Sequence, residues 1–179
     1  MPNWNSNTIH IEGPADKIRE LWARAQSQEG LLEAMIPIGE WDYDCAVSTW
    51  GTKWDISLEG LQLTETDQGR AEISGYADSA WSPPIEAFQA YANDNLDVYL
   101  EIKYFEPGMS FIGVWDSEGG DACWEDVGGL ILQEAENEDD FLMDLFEHFN
   151  VWDWYEADPD DEENLEIDLD GGISAVNEN

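Results

Sequence analysis

The chain has 179 residues, of which 42 are Asp or Glu and six are Lys or Arg, giving a formal net charge of −36. Hydrophobic residues make up 42% and aromatic residues 12%, including ten Trp. This composition excludes a chain that is disordered throughout, because such chains contain few aromatic residues. The charge disfavours direct binding to nucleic acid, whose phosphates it repels.

The acidic residues are concentrated towards the C-terminal end. The first 103 residues hold all six Lys and Arg with 18 Asp and Glu, whereas the remaining 76 hold 24 Asp and Glu and neither Lys nor Arg. A net charge of magnitude about 2–8 keeps a small domain soluble, but 36 charges equal those of about 18 base pairs of DNA. The alternative explanation of the charge is a solvated surface or an adaptation to high salt. Neither needs the charge gathered in one half, so we expect a basic, nucleic-acid-binding partner.

The first half of the chain is predicted to alternate between strands and helices. Alternating polar and apolar residues predict a strand over 7–11, and Pro14 opens a helix because its missing N–H has no partner in a first turn. Residues 31–45 are predicted to form a loop. Two further strands are predicted over 56–58 and 71–76.

A second helix and more strands follow. Ser82-Pro83-Pro84 starts the helix, and alternation predicts strands over 97–105 and 111–115, joined as a hairpin. Residues 122–132 are predicted to add a strand pair. The order β-α-β-β-α-β is typical of the split βαβ, ferredoxin-like architecture. We therefore predict an α+β domain over 1–133, with an antiparallel sheet and two packed helices.

Trp-containing blocks stand out within this domain. They are Met1-Pro2-Asn3-Trp4 with Ser6-Asn7, Trp50-Gly51-Thr52-Lys53-Trp54-Asp55 and Ser79-Ala80-Trp81-Ser82-Pro83-Pro84, followed by the hairpin Gly108-x-x-Phe111-x-Gly113. Over residues 1–120 they resemble the YubB-type ferredoxin-like family of plasmid and phage proteins, with Asn5 in place of an expected cysteine. The resemblance implies a ferredoxin-like fold and a mobile-element origin, and it implies no activity. Trp50, Trp54 and Trp81 are expected in and around the core.

Residues 134–179 are predicted to form an acidic C-terminal extension. Apolar residues at helical spacing predict an amphipathic helix over about 138–150, where Phe141, Leu142, Leu145, Phe146 and Phe149 share one face. An acidic loop follows over 158–163. Strict alternation then predicts a short strand over about 164–170.

Two rows of carboxylates are expected on this extension. Like charges spaced along one helix face disfavour the helix by about 0.2–0.5 kcal/mol per pair, and alternate strand residues face one way at intervals of about 6.7 Å. Such rows indicate a partner-binding surface, with two Trp as anchors. The predicted partner-binding residues are Glu136, Asp140, Asp144, Glu147, Asp153, Glu156, Asp158, Asp160, Asp161, Glu162, Glu163, Glu166, Asp168, Asp170, Trp152 and Trp154.

No catalytic, cofactor or metal site is predicted. The chain lacks the common nucleotide, hydrolase and zinc-protease motifs. His10, Cys45, Cys123 and His148 stand far apart, without the paired spacing of zinc ligands, and two cysteines are too few for a disulfide framework. The acidic loop over 158–163 also lacks the turn glycine of a calcium-binding EF-hand.

The sequence therefore predicts a non-enzymatic DNA mimic that binds and inhibits a basic host protein, either a DNA-binding or a defence protein. The alternative is an acidic adaptor that recruits a basic partner without blocking DNA, and a third hypothesis is an enzyme with an unrecognised carboxylate site. The chain shows no secretion signal and no apolar run of about 20 residues. We expect it in the cytoplasm, which is the host's cytoplasm for a plasmid or phage protein.

Overall fold

The computed structural model describes residues 3–132 and 140–155. Its central element is a six-stranded sheet with strand order β2-β3-β1-β4-β5-β6, in which every neighbouring pair is antiparallel. The strands are β1 Trp4–Pro14, β2 Leu61–Glu65, β3 Arg70–Ala80, β4 Tyr99–Glu106, β5 Phe111–Asp116 and β6 Gly120–Glu125. Together with the helices, this sheet confirms the predicted α+β class with an antiparallel sheet.

The described ranges contain seven helices. They are α1 Ala15–Gln28, α2 Leu31–Met35, α3 Tyr43–Trp50, α4 Ile85–Asp94, α5 Val127–Leu132, α6 Asp140–His148 and α7 Trp152–Tyr155. The helices α1 and α4 lie where Pro14 and Pro84 were predicted to open them. The two helices that follow α1 were not predicted.

The core of the first unit lies between one face of the sheet and the helices α1 to α4. Along β1 the buried residues alternate with half-exposed ones, so that Ile9 and Ile11 point towards the core. From the helices, Ile18 and Leu21 of α1 and Phe88 of α4 belong to the same buried cluster. Burying a side chain of this size contributes about 1.5–3 kcal/mol, so this cluster holds the sheet and helices together.

The predicted loop over 31–45 is wrong, because it contains α2 and the start of α3. The Asp42 carboxylate caps α3 by accepting a hydrogen bond from the Cys45 amide at 3.0 Å. The cap of α2 comes from Asp55, more than twenty residues downstream, which accepts from the Leu32 and Glu33 amides at 2.6 and 2.8 Å. A cap supplied from so far away leaves no signal in the local sequence.

Two strand predictions also need correction. The strand predicted over 56–58 is not formed: Ile56 is buried in an irregular segment, and β2 begins only at Leu61. The strand pair predicted over 122–132 is one strand, β6, followed by helix α5. Asp126 adopts a left-handed backbone with φ of 56°, which ends the extended run between them.

The chain divides into two compact units, Met1–Glu138 and Asp139–Asn179. In the second unit, α6 occupies much of the range predicted as an amphipathic helix, and Leu142, Leu145 and Phe146 are buried. The predicted acidic loop over 158–163 and the strand over 164–170 lie outside the described residues. In the described ranges, no helix combines the length and apolar character needed to cross a membrane.

Candidate functional site

Half of the basic side chains of the first unit are engaged with its own acids. Three of the six Lys and Arg form ion pairs with carboxylates across the fold. The pairs are Lys17–Asp97 at 2.5 Å, Arg19–Glu65 at 2.7 Å, Arg19–Asp16 at 2.9 Å and Arg70–Glu12 at 2.6 Å. Exposed pairs of this kind stabilise a fold by about 0–1 kcal/mol each. Their larger effect is that few cations are left to offset the other carboxylates.

The ion pairs also affect two of the acids they contain. The hydrogen bond from Arg70 holds the pKa of Glu12 below its ordinary value, and the hydrogen bond from Lys17 lowers the pKa of Asp97. Both carboxylates are therefore favoured in their charged form.

The structure describes only part of the predicted partner-binding surface. Asp140, Asp144 and Glu147 lie in α6, and the side chains of Asp144 and Glu147 are exposed, alternating with the buried Leu142 and Leu145. The predicted residues outside the described ranges are Glu136, Glu156, Asp158, Asp160, Asp161, Glu162, Glu163, Glu166, Asp168 and Asp170.

The two predicted Trp anchors differ in their surroundings. Trp152 packs edge-on against Phe146 of the same unit, with ring centroids 5.5 Å apart and an interplanar angle of 84°. Trp154 is 60% exposed and lies beside the exposed Asp153. Of the two, Trp154 has the accessibility that a partner-binding anchor requires.

A further acidic surface lies on the edge strand β6 and the turns beside it. Its members, called the β6 acidic edge below, are Asp116, Glu118, Asp121, Glu125 and Asp126. Most residues of β6 are exposed, and Asp121 accepts a hydrogen bond from the Tyr104 hydroxyl at 2.8 Å. We did not predict this surface, although an acidic run without Lys or Arg marks it in the sequence. Charge on an edge strand also opposes pairing with other strands.

The Trp-containing blocks of the sequence meet at one end of β1 and β3. The Trp81 amide donates to the Asn3 carbonyl at 2.9 Å. The Thr52 hydroxyl donates to the Ala80 carbonyl and accepts from the Ala80 amide, both at 3.0 Å. These bonds fix the segment around Thr52 to the end of β3.

Aromatic rings gather around this junction. Trp4 and Trp54 have ring centroids 5.8 Å apart, and the Lys53 ammonium lies 4.6 Å from the Trp54 centroid and 6.0 Å from that of Trp81. Trp50 is buried as expected, but Trp81 is 50% exposed. Trp81 has a left-handed backbone, with φ of 73°, and it directly follows the buried end of β3.

A groove of about 420 Å³ opens beside these rings. It is lined by Trp4, Trp54, Asp55, Ser57, Glu59, Gly60, Tyr76, Ala77 and Asp78. Tyr76 is 63% exposed and Trp4 47% exposed. We call this the Trp4–Tyr76 groove. It combines ring faces with three carboxylates, a set of groups suited to contacts with cations.

Buried amides lie next to the same junction. The Asn7 side chain donates to the Asn5 carbonyl at 2.9 Å, to the Ala77 carbonyl at 3.0 Å and to the Ser79 hydroxyl at 2.9 Å. Asn5 is fully buried, yet within the described structure its side-chain nitrogen and oxygen have no hydrogen-bond partner. An unsatisfied buried group of this kind costs about 1–3 kcal/mol.

The residues weighed for metal or nucleophilic chemistry lie apart. Among residues 3–132 and 140–155, no three His, Cys, Asp or Glu side chains group in a way that could hold a metal ion. Cys45 and Cys123 are free thiols, and burial raises the pKa of Cys123, so that its thiolate is disfavoured. His10 lies mid-strand between Glu12 and Glu72, at 3.7 and 3.9 Å.

Comparison with known proteins gives limited similarity. No protein-family model matches the chain, and no solved structure matches it. A stretch of 70 residues is 31% identical to the F-actin-capping protein subunit beta of Saccharomyces cerevisiae, which amounts to 39% of this chain and 24% of that protein. The chain thus spans about a quarter of the length of this curated relative.

Proposed function

We propose that this protein is a non-enzymatic DNA mimic, whose carboxylates occupy the phosphate-binding surface of a basic host protein and inhibit it. The observation that carries the proposal is the imbalance of charge on the folded surface. Half of the basic residues are held in internal ion pairs, while Asp144 and Glu147 present carboxylates on a helix and the β6 acidic edge presents them on a strand and its adjoining turns.

Such a surface would speed the encounter with a basic partner and orient that partner as it binds. Complementary potentials raise association rates and discriminate against partners of the wrong charge. Fixed carboxylates on a helix or strand lose less freedom on binding than those of a flexible acidic polymer. An exposed ring such as Trp154 adds apolar contact, which charge alone does not supply.

The proposal extends to fold and origin. We propose that β1, α1, β2, β3, α4 and β4 form a ferredoxin-like core, to which β5 and β6 add an edge. The strand order β2-β3-β1-β4 with antiparallel neighbours supports this, as does the position of α1 and α4 after β1 and β3. Membership of the YubB-type family, with a plasmid or phage origin and action in the host cytoplasm, belongs to the same proposal.

A competition experiment tests the function. Immobilised DNA of about 18 base pairs, matched in charge to the protein, is loaded with the basic proteins of a bacterial lysate, and the full chain is added in solution. We expect a small set of proteins to leave the DNA and to be recovered bound to the chain. Poly-glutamate at the same concentration of carboxylate is the control, and it is expected to release fewer of them.

Two outcomes would contradict the mimic. Equal release by poly-glutamate would show that total charge suffices without a scaffold. Proteins that bind the chain and the DNA at the same time would instead support the adaptor, because a mimic and DNA must exclude each other.

A further inference from the structure

The Trp4–Tyr76 groove differs from the rest of the acidic surface because it joins ring faces to carboxylates. Trp4 and Tyr76 lie on neighbouring strands, where Thr8 of β1 stands opposite Tyr76 of β3. Both rings are about half exposed or more. Large aromatic side chains exposed beside a concave surface are typical of binding sites.

Charge determines which ligand would fit this groove. Glu59 and Asp78 line it with exposed carboxylates, and the half-buried Asp55 lines it while its carboxylate accepts hydrogen bonds from the Leu32 and Glu33 amides. An anion would be repelled by all three. The ring faces themselves are the negative side of an aromatic quadrupole, so they add to the preference for a cation.

The neighbouring Lys53 shows that one ring of the groove already attracts a cation. Its ammonium lies 4.6 Å from the Trp54 centroid, within the distance at which a ring face attracts a cation. Lys53 is also the only Lys or Arg within the three Trp-containing blocks. Lys53 is not among the residues that line the groove, so the lining carries three carboxylates and neither Lys nor Arg.

We propose that the Trp4–Tyr76 groove binds an arginine side chain of the basic partner, and this inference rests on the proposed function. A planar guanidinium stacks on aromatic rings and also bonds to carboxylates in a fork, whereas an ammonium acts as a point charge. The groove offers both groups within one site. It would therefore fix the orientation of a partner that the acidic surface attracts only by charge.

The test uses the full chain and a small probe, so that it does not depend on identifying the partner. The protein labelled with ¹⁵N is titrated with N-acetyl-arginine amide, and the indole N–H signals of its Trp are followed by NMR. We expect the signals of Trp4 and Trp54, assigned by conversion to Phe, to shift and saturate. The Trp154 signal should stay in place, and the neutral isostere N-acetyl-citrulline amide should give no saturating shift.

Variants of the groove sharpen the result. Tyr76→Ala should lower the affinity for the arginine probe by about two- to fivefold, the loss expected for one exposed cation–ring contact. Tyr76→Phe should retain the affinity of the unmodified protein. Trp154→Ala is the control for loss of an exposed ring elsewhere. Equal shifts at all indoles, or equal binding of the citrulline probe, would overturn the inference. If the probe binds in the groove but the chain displaces no protein from DNA, the arginine site would be supported and the DNA-mimic function would be contradicted.

Discussion

At the scale of single residues, a few polar side chains carry unusual free-energy costs. Asn5 is the clearest, because it is fully buried without a side-chain hydrogen bond in the described structure. It occupies the position where the family resemblance leads one to expect a cysteine. Cysteine behaves as a small hydrophobic residue when buried, so it would leave no amide without a partner at this position.

Replacing this amide should stabilise the protein. We expect Asn5→Cys to raise the free energy of unfolding by about 1–2 kcal/mol, since a buried unsatisfied group costs about 1–3 kcal/mol. Asn7→Ala, which removes three formed hydrogen bonds, is the matched control and should destabilise. Urea unfolding of the three proteins measures both changes. A loss of stability in Asn5→Cys would show that the amide has a partner.

The helix caps at Asp55 and Asp42 allow a second comparison. Asp55 accepts from the Leu32, Glu33 and Ile56 amides, whereas Asp42 accepts from Cys45 at an exposed site. Loss of a cap costs about 0.5–2 kcal/mol, and buried donors left without a partner add to that. We expect Asp55→Ala to lower the free energy of unfolding by about 2–3 kcal/mol and Asp42→Ala by less. Similar losses, measured by urea unfolding, would contradict this ranking.

Tyr99 makes stability depend on alkaline pH. Burial, followed by the charge of Glu101, raises its pKa from 10 to about 12. Because the folded state holds the phenol proton more tightly than the unfolded state, this contribution is present below pH 10. It is lost as the pH rises from 10 to about 12. We expect Tyr99→Phe to lose less stability than the unmodified protein across this window. If thermal melts show the same loss of stability in both proteins between pH 10 and about 12, Tyr99 is not the group responsible.

At the scale of elements, the sequence predicted the strands and helices whose signals are local. Ile9 and Ile11 alternate along β1, and Pro14 and Pro84 precede α1 and α4. The helix α2 was missed because its cap comes from Asp55, far along the chain, whereas α3 was missed although its cap, Asp42, is local. The carboxylates of α6 were predicted, but the Trp4–Tyr76 groove was not, because its rings are brought together only by the pairing of β1 with β3.

The carboxylates of α6 can be tested separately from total charge. We expect the double change Asp144→Lys and Glu147→Lys to weaken the affinity of the chain for the proteins it displaces from DNA. A contribution of about 1 kcal/mol from each residue gives a loss of at least about tenfold. Glu29→Lys with Asp44→Lys, at exposed sites of the first unit, makes the same change in net charge. Equal loss in both variants would assign the effect to charge alone.

At the scale of the whole molecule, the net charge opposes folding. A formal −36 on 179 residues produces self-repulsion, which destabilises a compact state. The Debye length falls from about 30 Å at 0.01 M salt to about 10 Å at 0.1 M. We therefore expect the melting temperature to rise across this range of sodium chloride, measured by differential scanning calorimetry. A constant or falling value would show that the ion pairs outweigh the repulsion.

The uneven placement of the basic residues also determines how the chain can be cut. A protease that cleaves after Lys or Arg has its last site at Lys103, and Lys17, Arg19 and Arg70 are held in ion pairs on folded elements. Lys103 lies within β4, which pairs with both β1 and β5, so we expect the folded protein to resist trypsin at this site and the unfolded chain to release the last 76 residues as one uncut fragment. The appearance of this single acidic fragment would therefore report the opening of the central sheet.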